Sequence, residues 1–224
     1  MPFPSPNHGP RRGILRPELI VLHYTGMTDA ASARDRLCDP TAEVSAHWLL
    51  LEDGTAEPLV AEDRRAWHAG AGSWQGRDDV NSRSIGIEIV NPGDRPFPAR
   101  QMSGLQDLLG GIMARHGIGR AGVIGHSDMA PDRKFDPGAR FDWRRLALEN
   151  LAICPAPTHN DNAPTLDDSL SRIGYPMDGG PSARLSAFRL RFRPWGTGPE
   201  DAADRAIAAK AAQEFEAARL NDSV

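Results

Sequence analysis

The sequence predicts an α/β (α+β) fold: a mixed central sheet flanked by helices, followed by a small all-α three-helix module. Three observations carry this. Short apolar runs of strand length alternate with longer segments of helical periodicity. Two long loops rich in Gly, Ser, Asp and Pro interrupt that alternation. A stretch rich in Pro and Asn, running from Cys154 to Pro164, then marks a change of composition, and only helical patterns follow it. The expected organisation is an extended N-terminal arm over 1–16, a main domain over 17–153, a linker over 154–164 and a helical module over 165–224.

Each element has its own signal. Pro2, Pro4, Pro6 and Pro10 hold the arm open. Leu19 to His23 is a continuous apolar run, the pattern of a buried strand. Thr28-Asp29 offers an N-cap for a helix over Ala30 to Leu37. Ala46 to Leu51 and Thr55 to Val60 read as strands joined at Asp53-Gly54, a hairpin turn. Residues 68–83 form the first long loop. Ser84 to Val90 is a strand stopped by Asn91-Pro92-Gly93. Gln101 to His116 places Leu105, Leu108, Leu109, Ile112 and Met113 on one helical face, with Gly117 as its stop. A short strand over Gly122 to Gly125, the second loop over 127–140 and a helix over Phe141 to Leu151 complete the main domain. Beyond the linker, helices are expected over Leu166 to Ile173, Pro181 to Phe192 and Pro199 to Leu220.

With 224 residues, 40% hydrophobic and 25% charged, the chain has an ordinary globular balance. A net charge of −4 gives no footprint for nucleic acid. No apolar run approaches the ~18 residues of a membrane span. The N-terminus has no apolar leader core, which sets the cytoplasm as the expected compartment, with a periplasmic or envelope-associated protein as the alternative if a leader was removed. Cys38 and Cys154 are too few for a disulfide framework and are expected as free thiols.

The residue that asks for a function is Glu88, inside Ser84-Ile85-Gly86-Ile87-Glu88-Ile89. A period of two puts Gly86, Glu88 and Val90 on one face and the three isoleucines on the other. A carboxylate there is costly unless paired or used. Partial desolvation would raise its pKa toward the range of a general base; a structural ion pair with a buried arginine is the equal alternative. His23 and His126 each end a short apolar strand and open into a loop. Asp136 follows ten residues after His126. Two histidines and a carboxylate are a catalytic zinc set, although a lone core histidine is the commoner outcome and this spacing decides little.

Six short segments in order carry more. They are His23-Tyr24-Thr25-Gly26, Ser45-Ala46-His47-Trp48, Ala66-Trp67-His68-Ala69-Gly70, Ser84-Ile85-Gly86-Ile87-Glu88, Gly125-His126-Ser127-Asp128 and Arg133-Lys134-Phe135-Asp136-Pro137-Gly138. Over about residues 17–150 the set resembles the zinc-dependent N-acetylmuramoyl-L-alanine amidases of the AmpD/AmiD type, relatives of peptidoglycan recognition proteins and of phage T7 lysozyme. The resemblance implies one catalytic Zn2+ held by His23, His126 and Asp136, with Glu88 as acid/base and Lys134 as a second catalytic residue. It implies hydrolysis of the amide between N-acetylmuramic acid, or its anhydro form, and L-alanine of the stem peptide, in cell-wall turnover and recycling. The alternative is a non-catalytic peptidoglycan-binding protein on the same fold. Tyr24, Trp67, His68 and Trp74 are candidates to line the groove, Trp74 against a sugar face; bracing the loop is the other reading for the two tryptophans and His68, and Tyr24 could equally be core. His47 is expected as a packed or supporting histidine, Asp128 as a residue that orders its loop, and His116 as a favourable helix C-terminal charge. His8 and His159 are given no role.

The module from Leu170 through Tyr175-Pro176 to Phe192-Arg193-Pro194 is similar to the peptidoglycan-binding-like three-helix domain that follows some of these amidases. Its Gly-rich hairpin is reduced to Met177-Asp178-Gly179-Gly180. Glycan binding and a structural cap are therefore both open. Arg184, Arg189, Arg191 and Arg193 read as a solvated face. The partners expected are muropeptides or polymeric peptidoglycan, acted on by a monomer.

Overall fold

The structure, a computed structural model, describes residues 4–222. Pro2 of the expected arm lies outside the described residues. Five strands make one sheet in the order β4-β3-β6-β2-β7. These are β2 (Leu19–Tyr24), β3 (Trp48–Leu50), β4 (Ala56–Pro58), β6 (Ser84–Ile89) and β7 (Val123–Gly125). All neighbours are parallel except the β3–β4 hairpin, so the sheet is mixed. The N-terminal arm is extended, as its prolines require, and part of it is also a strand. Its β1 (His8–Pro10) pairs antiparallel with β5 (Arg64–Ala66). Arg11 then fastens it to the carbonyls of Ser82 and Ser84 at 2.6 and 3.0 Å. That strand pairing is missing from the sequence pattern because neither three-residue partner shows a period.

The two faces of the sheet are covered differently. On one, Ile20, Leu22, Ile85, Ile87, Ile89 and Val123 pack against α3 (Ala99–His116), with Phe141 and Trp143. Gly117, with φ near +67°, caps α3 by donating to Met113 O. On the other face, Leu19, Val21 and Ile124 lie under the last three helices: α6 (Leu166–Ile173), α7 (Pro181–Phe192) and α8 (Ala202–Asp222). Further along that face, Leu49 and Val90 pack with Ala33 and Leu37 of α1 (Ala30–Cys38). Between these two covers the face is polar. His23 and Glu88 emerge there.

Several expected elements differ in extent. The first loop ends early in a helical turn, α2 (Val80–Arg83), and the second begins with one, α4 (His126–Met129). The helix expected over Phe141–Leu151 is α5 (Trp143–Leu148); Asp142 caps its start by accepting from Arg145 N at 2.9 Å. The expectation of a solvated arginine face on α7 is wrong. Arg184, Arg189 and Arg191 are buried, paired with Asp167, Asp204 and Asp128, and Arg193 bonds Asp201 and Asp204. Periodicity places charges outside because an unpaired buried charge is costly. Here each partner comes from another segment, which a helical pattern cannot show. Cys38 and Cys154 are free thiols.

Candidate active site

Strand register places the first two groups. His23 on β2 stands directly opposite Glu88 on β6 in parallel pairing, so both side chains leave the same face. On the far side of β2, Leu22 pairs with Gly125, and His126 opens the α4 turn immediately after it. Asp136 comes back from the following loop, tied to that turn by Ser127 N donating to Asp136 O at 3.0 Å. The outcome is a near-equilateral triangle. His23 Nδ1 lies 2.9 Å from His126 Nδ1 and 2.9 Å from Asp136 Oδ2, and His126 Nδ1 lies 3.0 Å from the same oxygen.

The outer ring nitrogens settle where the protons are. Ala69 O can only accept, so His126 Nε2, 2.9 Å away, carries a hydrogen, and in the neutral ring its Nδ1 is the bare lone pair. Ser84 Oγ donates its one hydrogen to Val80 O at 2.6 Å and therefore accepts from His68 Nε2 at 3.2 Å. His68 Nδ1 is then an acceptor, and His23 Nε2 donates to it at 3.0 Å. His23 Nδ1 is left bare as well. Burial first, then the neighbouring His126, lowers the His23 pKa to about 4, so the ring is neutral at pH 7. Burial would raise the Asp136 pKa, but the two histidine rings set against its Oδ2 outweigh this and hold it far below the usual carboxylate range.

Three acceptor atoms thus converge with no proton between them, an arrangement that calls for a cation. Two nitrogens and one oxygen with this spacing fit ligands about 2.0–2.2 Å from a common centre, leaving one side open. His23, His126 and Asp136 are the group of described residues that could hold a metal ion.

The triangle floors a pocket of about 400 Å³. Glu88 and Lys134 line it, with Tyr24, Trp67 and His68. Glu88 Oε2 is buried with no hydrogen-bond partner. Among the described residues no basic side chain forms an ion pair with it, so the structural-pair reading finds no support. Burial, then the charge of Asp136, raises the Glu88 pKa well above its ordinary value, against the opposing ammonium of Lys134. His68 touches the pocket, but both its ring nitrogens are engaged, which makes it a support for His23.

Trp74 is placed elsewhere than expected. It is 0% exposed, edge-on to Tyr175 and Phe215 at 5.4 and 6.2 Å, and cannot meet a sugar. Its loop turns it inward because the C-terminal helices supply an apolar cavity that the local sequence does not announce. His47 supports the sheet: its Nδ1 accepts from Gly86 N at 2.9 Å and its Nε2 donates to Arg64 O at 3.0 Å. His116 bonds Glu62 at 2.7 Å. Sequence reasoning missed Arg36, Arg133 and Phe135 at the pocket. Arg133 and Phe135 flank Lys134 and could have been suspected; Arg36 is brought over by α1 with no local signal.

Comparison with known proteins completes the description. A family model described as N-acetylmuramoyl-L-alanine amidase matches residues 14–139. N-acetylmuramoyl-L-alanine amidase AmiD of Escherichia coli K12 is 33% identical over 86% of this chain and 81% of that protein. The 1,6-anhydro-N-acetylmuramyl-L-alanine amidase AmpD of Enterobacter cloacae is 35% identical over 64% of this chain and 86% of that protein. The solved structure of E. coli AmiD in complex with the substrate anhydro-N-acetylmuramic acid-L-Ala-D-γ-Glu-L-Lys is similar at a TM-score of 0.75. That pair is 30% identical, over 94% of this chain and 91% of the other.

Proposed function

This chain belongs to the N-acetylmuramoyl-L-alanine amidase family, and from that premise we propose that His23, His126 and Asp136 hold one catalytic zinc ion while Glu88 and Lys134 perform the proton and charge chemistry. The chain is an amidase: it hydrolyses the amide between N-acetylmuramic acid and L-alanine of the stem peptide, in cell-wall turnover. The observation that carries the site assignment is the triangle of two bare Nδ1 atoms and one carboxylate oxygen.

Zinc in such a set lowers the pKa of water to about 7 and polarises a carbonyl oxygen. The protein groups do the rest. Glu88, unpartnered and beside the ligands, takes the proton of the attacking water and delivers it to the departing alanine nitrogen. Its raised pKa suits both halves of that exchange. The Lys134 ammonium faces the same pocket and stabilises the oxyanion that forms at the carbonyl. His68 and Ser84 hold the His23 tautomer. Tyr24 and Trp67 form walls for the substrate.

The substrate form proposed is a soluble anhydro-muropeptide, in line with the ligand bound by E. coli AmiD, and the cytoplasm is the proposed place of work, with the periplasm or envelope as the alternative. Among the described residues no helix is long and apolar enough to cross a membrane. The proposed division of labour gives 17–153 the chemistry. The test is release of free stem peptide from purified anhydro-muropeptide, read by mass spectrometry before and after chelation. Release that stops on chelation and returns with zinc is expected; release untouched by exhaustive chelation would sink the metal assignment.

A further inference from the structure

We infer that the C-terminal helices are part of the active-site frame: Arg191 of α7 and Tyr175, just after α6, act through Asp128 as positioning residues for His126 and Asp136. This rests on the ligand assignment above and goes beyond it.

Asp128 sits two residues after His126 in the α4 turn and is 0% exposed. Its Oδ2 accepts from Gly125 N at 2.8 Å, which pins the residue immediately before the ligand. The same oxygen accepts from Arg191 Nη1 at 2.7 Å, and Oδ1 accepts from the Tyr175 hydroxyl. Arg191 also donates to Val123 O at 3.2 Å and to Ile153 O at 2.9 Å, and its guanidinium lies 4.1 Å over the Trp143 ring. One arginine therefore grips the strand leading into His126 and the carboxylate that follows it. A four-residue helical turn has no stability of its own. Because Ser127 N holds Asp136 O, a shift of this turn moves both ligands together.

A merely structural role would look different, and the same module contains the comparison. Arg184–Asp167 and Arg189–Asp204 are ion pairs of buried arginines at 2.6 and 2.5 Å, the Asp204 carboxylate buried and the Asp167 carboxylate half exposed. Their further bonds, to Met177 and Gly179 and to Gly198 and Pro199, stay within the module. They share the stabilising function without reaching the site.

The experiment measures zinc affinity of the full-length chain by competition with a chromophoric chelator, at a temperature where circular dichroism shows each variant folded. The variants are Tyr175→Phe, Arg191→Met, Arg184→Met and Arg189→Met. Tyr175→Phe keeps the ring against Trp74 and removes one oxygen, so it remains informative if Arg191→Met does not fold. Expected are losses of about tenfold to a hundredfold in affinity for Tyr175→Phe and Arg191→Met, with Arg184→Met and Arg189→Met binding zinc as wild type does while melting lower. Wild-type affinity in Tyr175→Phe and Arg191→Met would overturn the inference. Equal weakening in the Arg184 and Arg189 variants would also overturn it, by reducing the effect to general stability. A wild-type chain that holds no zinc would fail differently, taking the ligand assignment down first.

Discussion

Replacing Gly86 with alanine should weaken the metal site without touching a ligand. Gly86 is not at a positive φ, so the backbone tolerates alanine, and on chain entropy alone the change would stabilise the protein by roughly 0.4–1 kcal/mol. The side-chain space reverses that sign. A Cβ on Gly86 falls 2.5 Å from Cδ2 and 2.6 Å from Nδ1 of His68. Carbon contacts sit near 3.5–4.0 Å, so the ring must retreat by about 1 Å. It has nowhere convenient to go. Its nitrogens are committed to His23 and Ser84, and the His47 ring stands 5.8 Å away, edge-on. A 1 Å retreat stretches the 3.0 Å His23–His68 bond beyond hydrogen-bond range. The His23 tautomer is then no longer fixed with Nδ1 toward the site. Overpacking should cost about 1–3 kcal/mol of stability, and loss of the support should cost about 10–100-fold in zinc affinity.

The assay is chelator competition for zinc together with thermal unfolding, run as a double-mutant cycle with His68→Ala. Once the ring is gone, the added methyl has room. Gly86→Ala should therefore cost little in the His68→Ala background, giving strong non-additivity. Gly86→Ala binding zinc as tightly as wild type, or weakening it equally with and without the His68 ring, would refute the relay from His23 through His68 to Ser84.

Three further outcomes follow from other parts of the molecule. Glu88→Gln should lower kcat by about 10²–10⁴-fold while zinc binding persists. The chelated variant should melt at or above the wild type at pH 7, because it no longer desolvates an unpartnered carboxylate; a lower melting temperature would show that Glu88 has a structural partner after all. Burial tends to raise the Glu62 pKa, but bonds from Arg115, His116 and Trp48 carry it down from 4.5 to about 2. A depressed carboxylate stabilises the fold above its unfolded pKa and loses that contribution as pH falls through the folded one. Urea unfolding between pH 5 and 2 should therefore show a loss of about 2 kcal/mol that Glu62→Gln does not share; identical slopes would remove the network from the account. Trp74→Phe should leave KM unchanged and lower stability modestly, since the indole nitrogen has no partner to lose; a raised KM would return Trp74 to the substrate groove.

What was legible in the sequence is what local pattern encodes. The alternation in Ser84–Ile89 separated the isoleucine face from the Gly86–Glu88 face, and the structure packs the isoleucines against α3 while Glu88 opens into the pocket. Motif order supplied the three candidate ligands, and the fold brings them within 3.0 Å of one another across 113 residues of sequence. What was illegible is set by contacts between distant segments. Trp74 looks like any loop aromatic until α8 delivers Phe215 beside it. Arg191 looks solvated until Asp128, 63 residues earlier, meets it. Helical periodicity reports which side of a helix faces inward, and it carries no information about a carboxylate waiting there.

The polar gap on the sheet explains why such an unfavourable cluster persists. Two lone pairs and a carboxylate face one another, with an unpartnered glutamate beside them. Left to relax, these groups would turn toward water or toward new donors. They are denied that freedom from both flanks. On one side α1 packs on Leu49 and Val90; on the other the C-terminal helices pack on Leu19, Val21 and Ile124. Each supporting group is committed outward, His126 to Ala69 O, His68 to Ser84 and Asp128 to Arg191. A cation at their centre would satisfy the converging acceptors, and on the proposed zinc assignment the rigidity of the two apolar covers contributes to metal affinity. It follows that variants which loosen either cover should lose zinc before they lose the fold, and that ordering separates a site held by its frame from one held by its ligands alone.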